Sequence, residues 1–172
     1  MSWFIRRKNN KKRLTAADAK PFTRPPEYLR RRESTAKSKP DTRPRILVVD
    51  DEYALVTVYI RFLREHGFKA YCACDGEEAL DVAVRLRPDL IVTDIMMPRI
   101  SGFDVIDILK STPELKDIPV IILCALDSQE DIDRGLRLGA AEYLVNKNTS
   151  LDDLVNAIKR VLKKSKKTNS QG

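Results

Sequence analysis

The sequence predicts an α/β fold: a five-stranded parallel sheet with helices on both of its faces. Three observations point there. From residue 46 onward, five short apolar runs alternate with five stretches whose apolar residues recur at helical spacing. Runs such as Ile46–Val49 and "IPVIILCA" are apolar throughout, the pattern of strands buried on both faces. Hydrophobic residues make up 42% of the chain, enough for the packed core that layered folds require.

The elements follow in order. Ile46–Val49 is the first strand, and Leu55, Val58, Tyr59, Phe62 and Leu63 then form a helical stripe that Gly67 ends. "KAYCAC" is the second strand, followed by a helix over "GEEALDVAVRLR" that Pro88 stops. "DLIVTD" is the third, ending in acid, with a helix over "FDVIDILK" after Gly102. "IPVIILCA" is the fourth, and in "SQEDIDRGLRLG" Ser128 and Asp131 resemble a capping box. "EYLV" is the fifth, and Leu151, Leu154, Val155, Ile158 and Leu162 line one face of the last helix. Right-handed crossovers bring the carboxyl ends of such strands to one edge, where open α/β sheets bind ligands.

Charge divides the chain into three parts. Residues 1–44 carry 14 Lys/Arg against 4 Asp/Glu, residues 45–158 carry 12 against 21, and six more cations follow from Lys159. Five of the nine prolines fall within residues 1–44, where aliphatic residues are few. That stretch is expected to be a mostly disordered basic leader, with a short helix near residues 11–19. The folded domain is expected over 45–164 and a disordered basic tail over 165–172. No run approaches the roughly 18 apolar residues of a membrane span. The start "MSWFIRRKNNKKR" lacks the apolar segment of a secretory signal. Cys72, Cys74 and Cys124 have no metal-type spacing, and reduced thiols in the cytoplasm are the simple reading.

The chemistry concentrates in "RILVVDDE", where a buried strand runs straight into Asp50, Asp51 and Glu52. Asp94 ends the third strand and reaches the same edge. Crowded carboxylates repel, and a hard divalent cation offsets that cost while keeping several waters, as Mg²⁺ does. No GxxxxGK[ST] motif is present, which argues against a nucleotide. A small anion bridged through the metal fits better, with one aspartate as nucleophile toward a phosphoryl group. The plainer reading is that Asp50–Glu52 only cap the following helix.

"ILVVDDE", "LIVTDIMMP" with the following "SG", "PVIILCA" and "GAAEYLV" together resemble the receiver domain of two-component response regulators, the CheY-like phosphoacceptor module. The resemblance covers about residues 45–164. It implies the flavodoxin-like strand order 2-1-3-4-5 and a signalling module rather than an enzyme. By resemblance, Asp94 is the phosphorylated aspartate, Asp51 a direct Mg²⁺ ligand with Asp50 in support, and the Met96 backbone carbonyl a further ligand. The phosphodonor it implies is a histidine kinase or a phosphotransfer protein, and the output is contact with a downstream protein target.

Two positions depart from the family's pattern. Cys124 stands where Thr or Ser is usual, and a thiol is a weaker donor. The lysine expected after the fifth strand is displaced: Asn146 takes its place counting from Gly139, and Lys147 counting back from Ser150. Lys147 is preferred, brought in by a bulge or an early strand end. Tyr143 aligns with the aromatic switch residue. Met96 and Leu126, two residues beyond Asp94 and Cys124, are apolar and should slow hydrolysis of the phosphoryl group. His66, the only histidine, is expected at the surface. No DNA-binding output domain is recognised after the last helix, and pairing through the last two helices and fifth strand is left open. The leader is expected to dock on a protein partner or on the domain's own acidic face. Weak contact with a membrane through Trp3, Phe4 and Ile5 beside Arg6, Arg7 and Lys8, or with nucleic acid, competes with that reading. The alternative for the whole chain is a phosphorylation-independent scaffold that keeps only the fold.

Overall fold

The computed structural model describes residues 41–168. In chain order these form β1 (Arg45–Val49), α1 (Tyr53–Glu65), β2 (Lys69–Ala73), α2 (Gly76–Leu86), β3 (Leu90–Thr93), α3 (Gly102–Ser111), β4 (Val120–Cys124), α4 (Gln129–Arg137), β5 (Glu142–Val145) and α5 (Leu151–Thr168). A 3-10 turn, Asn146–Asn148, joins β5 to α5. The five strands make one sheet in the order β2-β1-β3-β4-β5. Every neighbouring pair is parallel. The fold class and strand order are those expected.

Residue alternation sorts the core into two layers. Ile46 and Val48 of β1, Leu90 and Val92 of β3, and Ile121 and Leu123 of β4 pack with Tyr59 and Leu63 of α1 and with Leu154, Val155 and Ile158 of α5. The intervening residues Leu47, Val49, Ile91, Val120, Ile122 and Cys124 face Ala79, Val82 and Ala83 of α2 and Val105, Ile106 and Leu109 of α3. The central strands β1, β3 and β4 are thus covered on both sides, which is why they read as unbroken apolar runs. The edge strand β5 is half-buried along its whole length.

Helix starts follow local chemistry. Ser101 and Asp104 form a reciprocal capping box at α3. Ser150 and Asp153 do the same at α5 through Ser150 N to Asp153 Oδ2 (3.0 Å) and Asp153 N to Ser150 Oγ (3.1 Å). At α4 the expected box is half-made. Ser128 Oγ accepts from Asp131 N at 3.1 Å, while the Asp131 carboxylate takes up the Ser128 hydroxyl rather than its backbone N–H. α4 buries only Gly135.

The last helix runs through Thr168, four residues past the boundary placed at 164, so residues 165–168 are helical rather than part of a disordered tail. Lysine is a good helix former, and Lys163, Lys164 and Lys167 sit where cations favour the negative end of the helix. The expectations for residues 1–40, the short helix near residues 11–19 included, and for residues 169–172 lie outside the described residues. Residues 41–44 lead into the sheet, with Lys69 N donating to the Pro44 carbonyl at 2.8 Å.

Candidate functional site

The carboxyl ends of β1 and β3 lie side by side in the sheet, and each continues into aspartate. Asp94 N donates to the Val49 carbonyl at 2.9 Å, which extends the β1–β3 ladder by one residue and fixes Asp94 beside Asp50. Asp50 N in turn donates to Ala73 O at 3.2 Å on the other flank. The sheet ladder thereby holds the backbone of the site from two sides.

Asp50, Asp51 and Asp94 each place a carboxylate oxygen within 4.8 Å of the others. Burial first, and then the nearness of Asp94, Asp51 and Glu52, push the Asp50 carboxyl above the usual carboxylate range, while the Glu52 N–H offsets part of that. That hydrogen bond is 2.8 Å long. The plainer helix-capping account finds little here: Glu52 occupies the N-cap of α1 but makes no side-chain cap bond, and the first turn holds no acidic residue. Three hard oxygen donors, crowded and partly desolvated, are a donor set suited to Mg²⁺.

The loop after Asp94 is built tightly. Asp94 Oδ1 accepts from Ile95 N at 2.7 Å. Gly102 N donates to the Ile95 carbonyl at 3.1 Å, closing the loop on itself. A Cβ at Gly102 would lie 2.0 Å from the Asp94 carbonyl oxygen, so this position admits only glycine. Arg99 adopts a left-handed backbone, φ 70°. Its guanidinium pairs with Asp75 and, at 3.3 Å, with Glu77, tying the loop to the start of α2.

The opposite flank, at the ends of β4 and β5, carries different chemistry. Cys124 is buried and lies opposite Val145 in the sheet. Burial foremost, and then the neighbouring Asp94 carboxylate, push the thiol upward. Its sulfur accepts from Leu126 N at 3.5 Å. The Tyr143 hydroxyl donates to the Leu126 carbonyl at 3.0 Å. A Cβ on Gly135 would meet Ile122 Cδ1 at 2.5 Å and the Tyr143 ring at 3.0 Å, so glycine lets α4 close over that ring.

Lys147 does not turn toward the acids. β5 ends at Val145 without a bulge, and the next two side chains diverge. The Lys147 ammonium pairs with Asp127 at the surface, whereas Asn146 Oδ1 accepts from the Tyr59 hydroxyl at 3.3 Å. In this structure the exposed Lys147 is thus engaged by Asp127, and Asn146, the other candidate for the position, is the one bonded to the buried Tyr59. Met96 exposes 59% of its surface, while Leu126 packs against the core, so the two apolar residues do not play equal parts at the mouth. His66 is exposed, with Nδ1 2.9 Å from the Phe62 carbonyl. Sequence reasoning missed Arg99, Asp127 and the hydroxyl of Tyr59. Only Tyr59 carried a signal, a phenol in an apolar stripe two turns from the acid run.

Residues 46–159 match the family model described as the response regulator receiver domain. The chain belongs to that family. It is 40% identical over 122 residues to the response regulator MprA of Mycobacterium leprae, covering 71% of this chain and 52% of that protein. It is 42% identical over 123 residues to the transcriptional regulatory protein PrrA of Mycobacterium tuberculosis, covering 72% of this chain and 52% of that one. The chain thus spans about half the length of these curated relatives. Among solved structures, the receiver domain of the Francisella response regulator 1452 is similar with a TM-score of 0.66 and 35% identity, over 71% of this chain and 98% of that one. The Vibrio cholerae chemotaxis protein CheY4 is similar with a TM-score of 0.65 and 29% identity, over 69% and 98%. The family match therefore runs from β1 into α5. Among the described residues, no helix is long and apolar enough to cross a membrane.

Proposed function

We propose that this receiver accepts a phosphoryl group on Asp94 and signals through protein contacts. The observation that carries the reading is the convergence of Asp50, Asp51 and Asp94 within 4.8 Å at the one edge where β1 and β3 end together. A scaffold that kept only the fold would have no use for a repulsive acid cluster at that edge.

In the transfer, an oxygen of the Asp94 carboxylate forms the P–O bond as the donor's P–N bond breaks, and the departing imidazole takes up a proton. Asp50 and Asp51, with the Met96 backbone carbonyl, would hold Mg²⁺ beside Asp94. When bound, the cation supplies charge neutralisation for the phosphoryl oxygens. Asp94 is oriented by the Ile95 N–H on one oxygen. The donor class is a phosphohistidine on a histidine kinase or phosphotransfer protein, and the domain itself occupies residues 45–168.

Intact mass after incubation with acetyl phosphate and Mg²⁺ tests this for the wild type and for Asp94→Asn. One added phosphoryl group in the wild type alone is the expected result. No gain in either protein would return the chain to the scaffold reading.

A further inference from the structure

At the β5 end of the strand edge, two neutral side chains meet. Tyr59 is 7% exposed, with its ring set in the layer formed by α1 and α5. Its hydroxyl reaches the end of β5 and donates to Asn146 Oδ1 at 3.3 Å. Burial chiefly, and then the field of Asp50, push this phenol upward, with Asp94 and Glu52 adding to it and the bond to Asn146 opposing. Val145 pairs with Cys124 in the sheet, so Asn146 and the hydroxyl bonded to it follow at the carboxyl edge that Asp50 and Asp94 share. Lys147 meanwhile is bound to Asp127 on the outer surface.

An amide has an acceptor on one side and two N–H donors on the other. With Oδ1 engaged by Tyr59, the Asn146 orientation is fixed, and its NH₂ group is the end left to meet a ligand. A phosphoryl group on Asp94 would bring acceptor oxygens and about two negative charges. We propose that the side-chain amide of Asn146, positioned by the Tyr59 hydroxyl, donates to a phosphoryl oxygen on Asp94, so that a neutral hydrogen-bonding pair serves where the family resemblance leads one to expect a lysine. The inference rests on the proposal that Asp94 is phosphorylated. It assigns Asn146 as a phosphoryl-binding residue and Tyr59 as a positioning residue.

The test uses the full chain, uniformly ¹⁵N-labelled, with Mg²⁺ and beryllium fluoride as the phosphoryl mimic. Uptake is read from a ¹⁹F signal that Asp94→Asn abolishes. The expected result is that the assigned side-chain NH₂ pair of Asn146 moves downfield on uptake. Asn146→Ala should then bind the mimic roughly tenfold more weakly, the loss of a hydrogen bond to a charged group. Tyr59→Phe, which keeps the ring, should shrink the NH₂ shift. Lys147→Ala should leave affinity within about twofold, as for an exposed pair. Uptake with an unmoved Asn146 amide, or a Lys147→Ala loss as large as that of Asn146→Ala, would overturn the inference while leaving phosphorylation of Asp94 standing. Absence of any Asp94-dependent uptake would overturn both.

Discussion

The two halves of the strand edge are built on different terms. On the β1–β3 side, Asp50 and Asp94 are held by backbone: Asp94 N to Val49 O, Asp50 N to Ala73 O, and the Gly102 turn pressed against the Asp94 carbonyl. On the β4–β5 side, contacts pass through side chains: Leu126 N to Cys124 Sγ, Tyr143 to Leu126 O, Tyr59 to Asn146 and Lys147 to Asp127. Backbone contacts are indifferent to residue type except where a Cβ would intrude, whereas side-chain contacts change with every substitution. The half that would hold metal and phosphoryl group is thus fixed in geometry. The half that would answer to them is free to vary in chemistry, and it is where this sequence leaves its family's pattern.

The largest expected effect separates the halves by one methyl group on each. In Gly102→Ala the new Cβ would meet the Asp94 carbonyl oxygen at 2.0 Å and the Ile95 Cα at 2.9 Å, and neither can rotate away. A loss of about 3 kcal/mol or more is expected in urea unfolding, at or above the top of the usual overpacking range. In Gly135→Ala the nearest atom is the Ile122 Cδ1 terminus at 2.5 Å, followed by the Tyr143 ring. A rotamer change can make room, so about 1 kcal/mol is expected. Equal losses would erase the distinction between a backbone-held and a side-chain-held half.

A second substitution sharpens the comparison on the responsive side alone. Cys124→Thr puts a stronger and smaller donor against Asp94 while keeping a residue suited to a strand. The phosphorylation-induced change at Tyr143, followed by NMR, should grow. Acetyl phosphate uptake should rise about fivefold, the worth of one net hydrogen bond of ~1 kcal/mol. If the response at Tyr143 is unchanged, Cys124 is only a buried filler and the residue type at this position has no bearing on the switch.

These differences also explain what could be read in advance. Period and punctuation defined all five strands, because burial on both faces leaves β1, β3 and β4 without polar interruptions, and "EYLV" matched β5 residue for residue. Asp50, Asp51 and Asp94 were legible because parallel topology alone sends strand ends to one edge. The direction of Asn146 and Lys147 was not legible, since it turns on whether β5 stops at Val145 or bulges, a single-residue matter that no hydrophobic pattern encodes. The ion pairs of Arg99 with Asp75 and of Lys147 with Asp127 span 24 and 20 residues and join loops, where spacing carries no information. The extension of α5 to Thr168 was missed because a lysine-rich end looks like solvated tail while remaining good helix.

The smallest expected effect concerns Tyr143 at alkaline pH. Burial first, then the Cys124 thiol once ionised at alkaline pH, and then the carboxylates Asp131, Asp94 and Asp127 push its phenol up to about 12. An unfolded tyrosine titrates near 10. Because the folded value is the higher one, the stabilising contribution is complete below about pH 10 and is lost as pH rises toward 12. Unfolding free energy should therefore fall across that window, and Tyr143→Phe should lessen the slope there while also removing the bond to Leu126 O at neutral pH. The ring is only half-buried, so solvent screens the effect and the change in slope should be slight. A slope untouched by Tyr143→Phe would mean that this hydroxyl does not feel the acids around it, and Tyr143 would then have no electrostatic link to the charge state of Asp94.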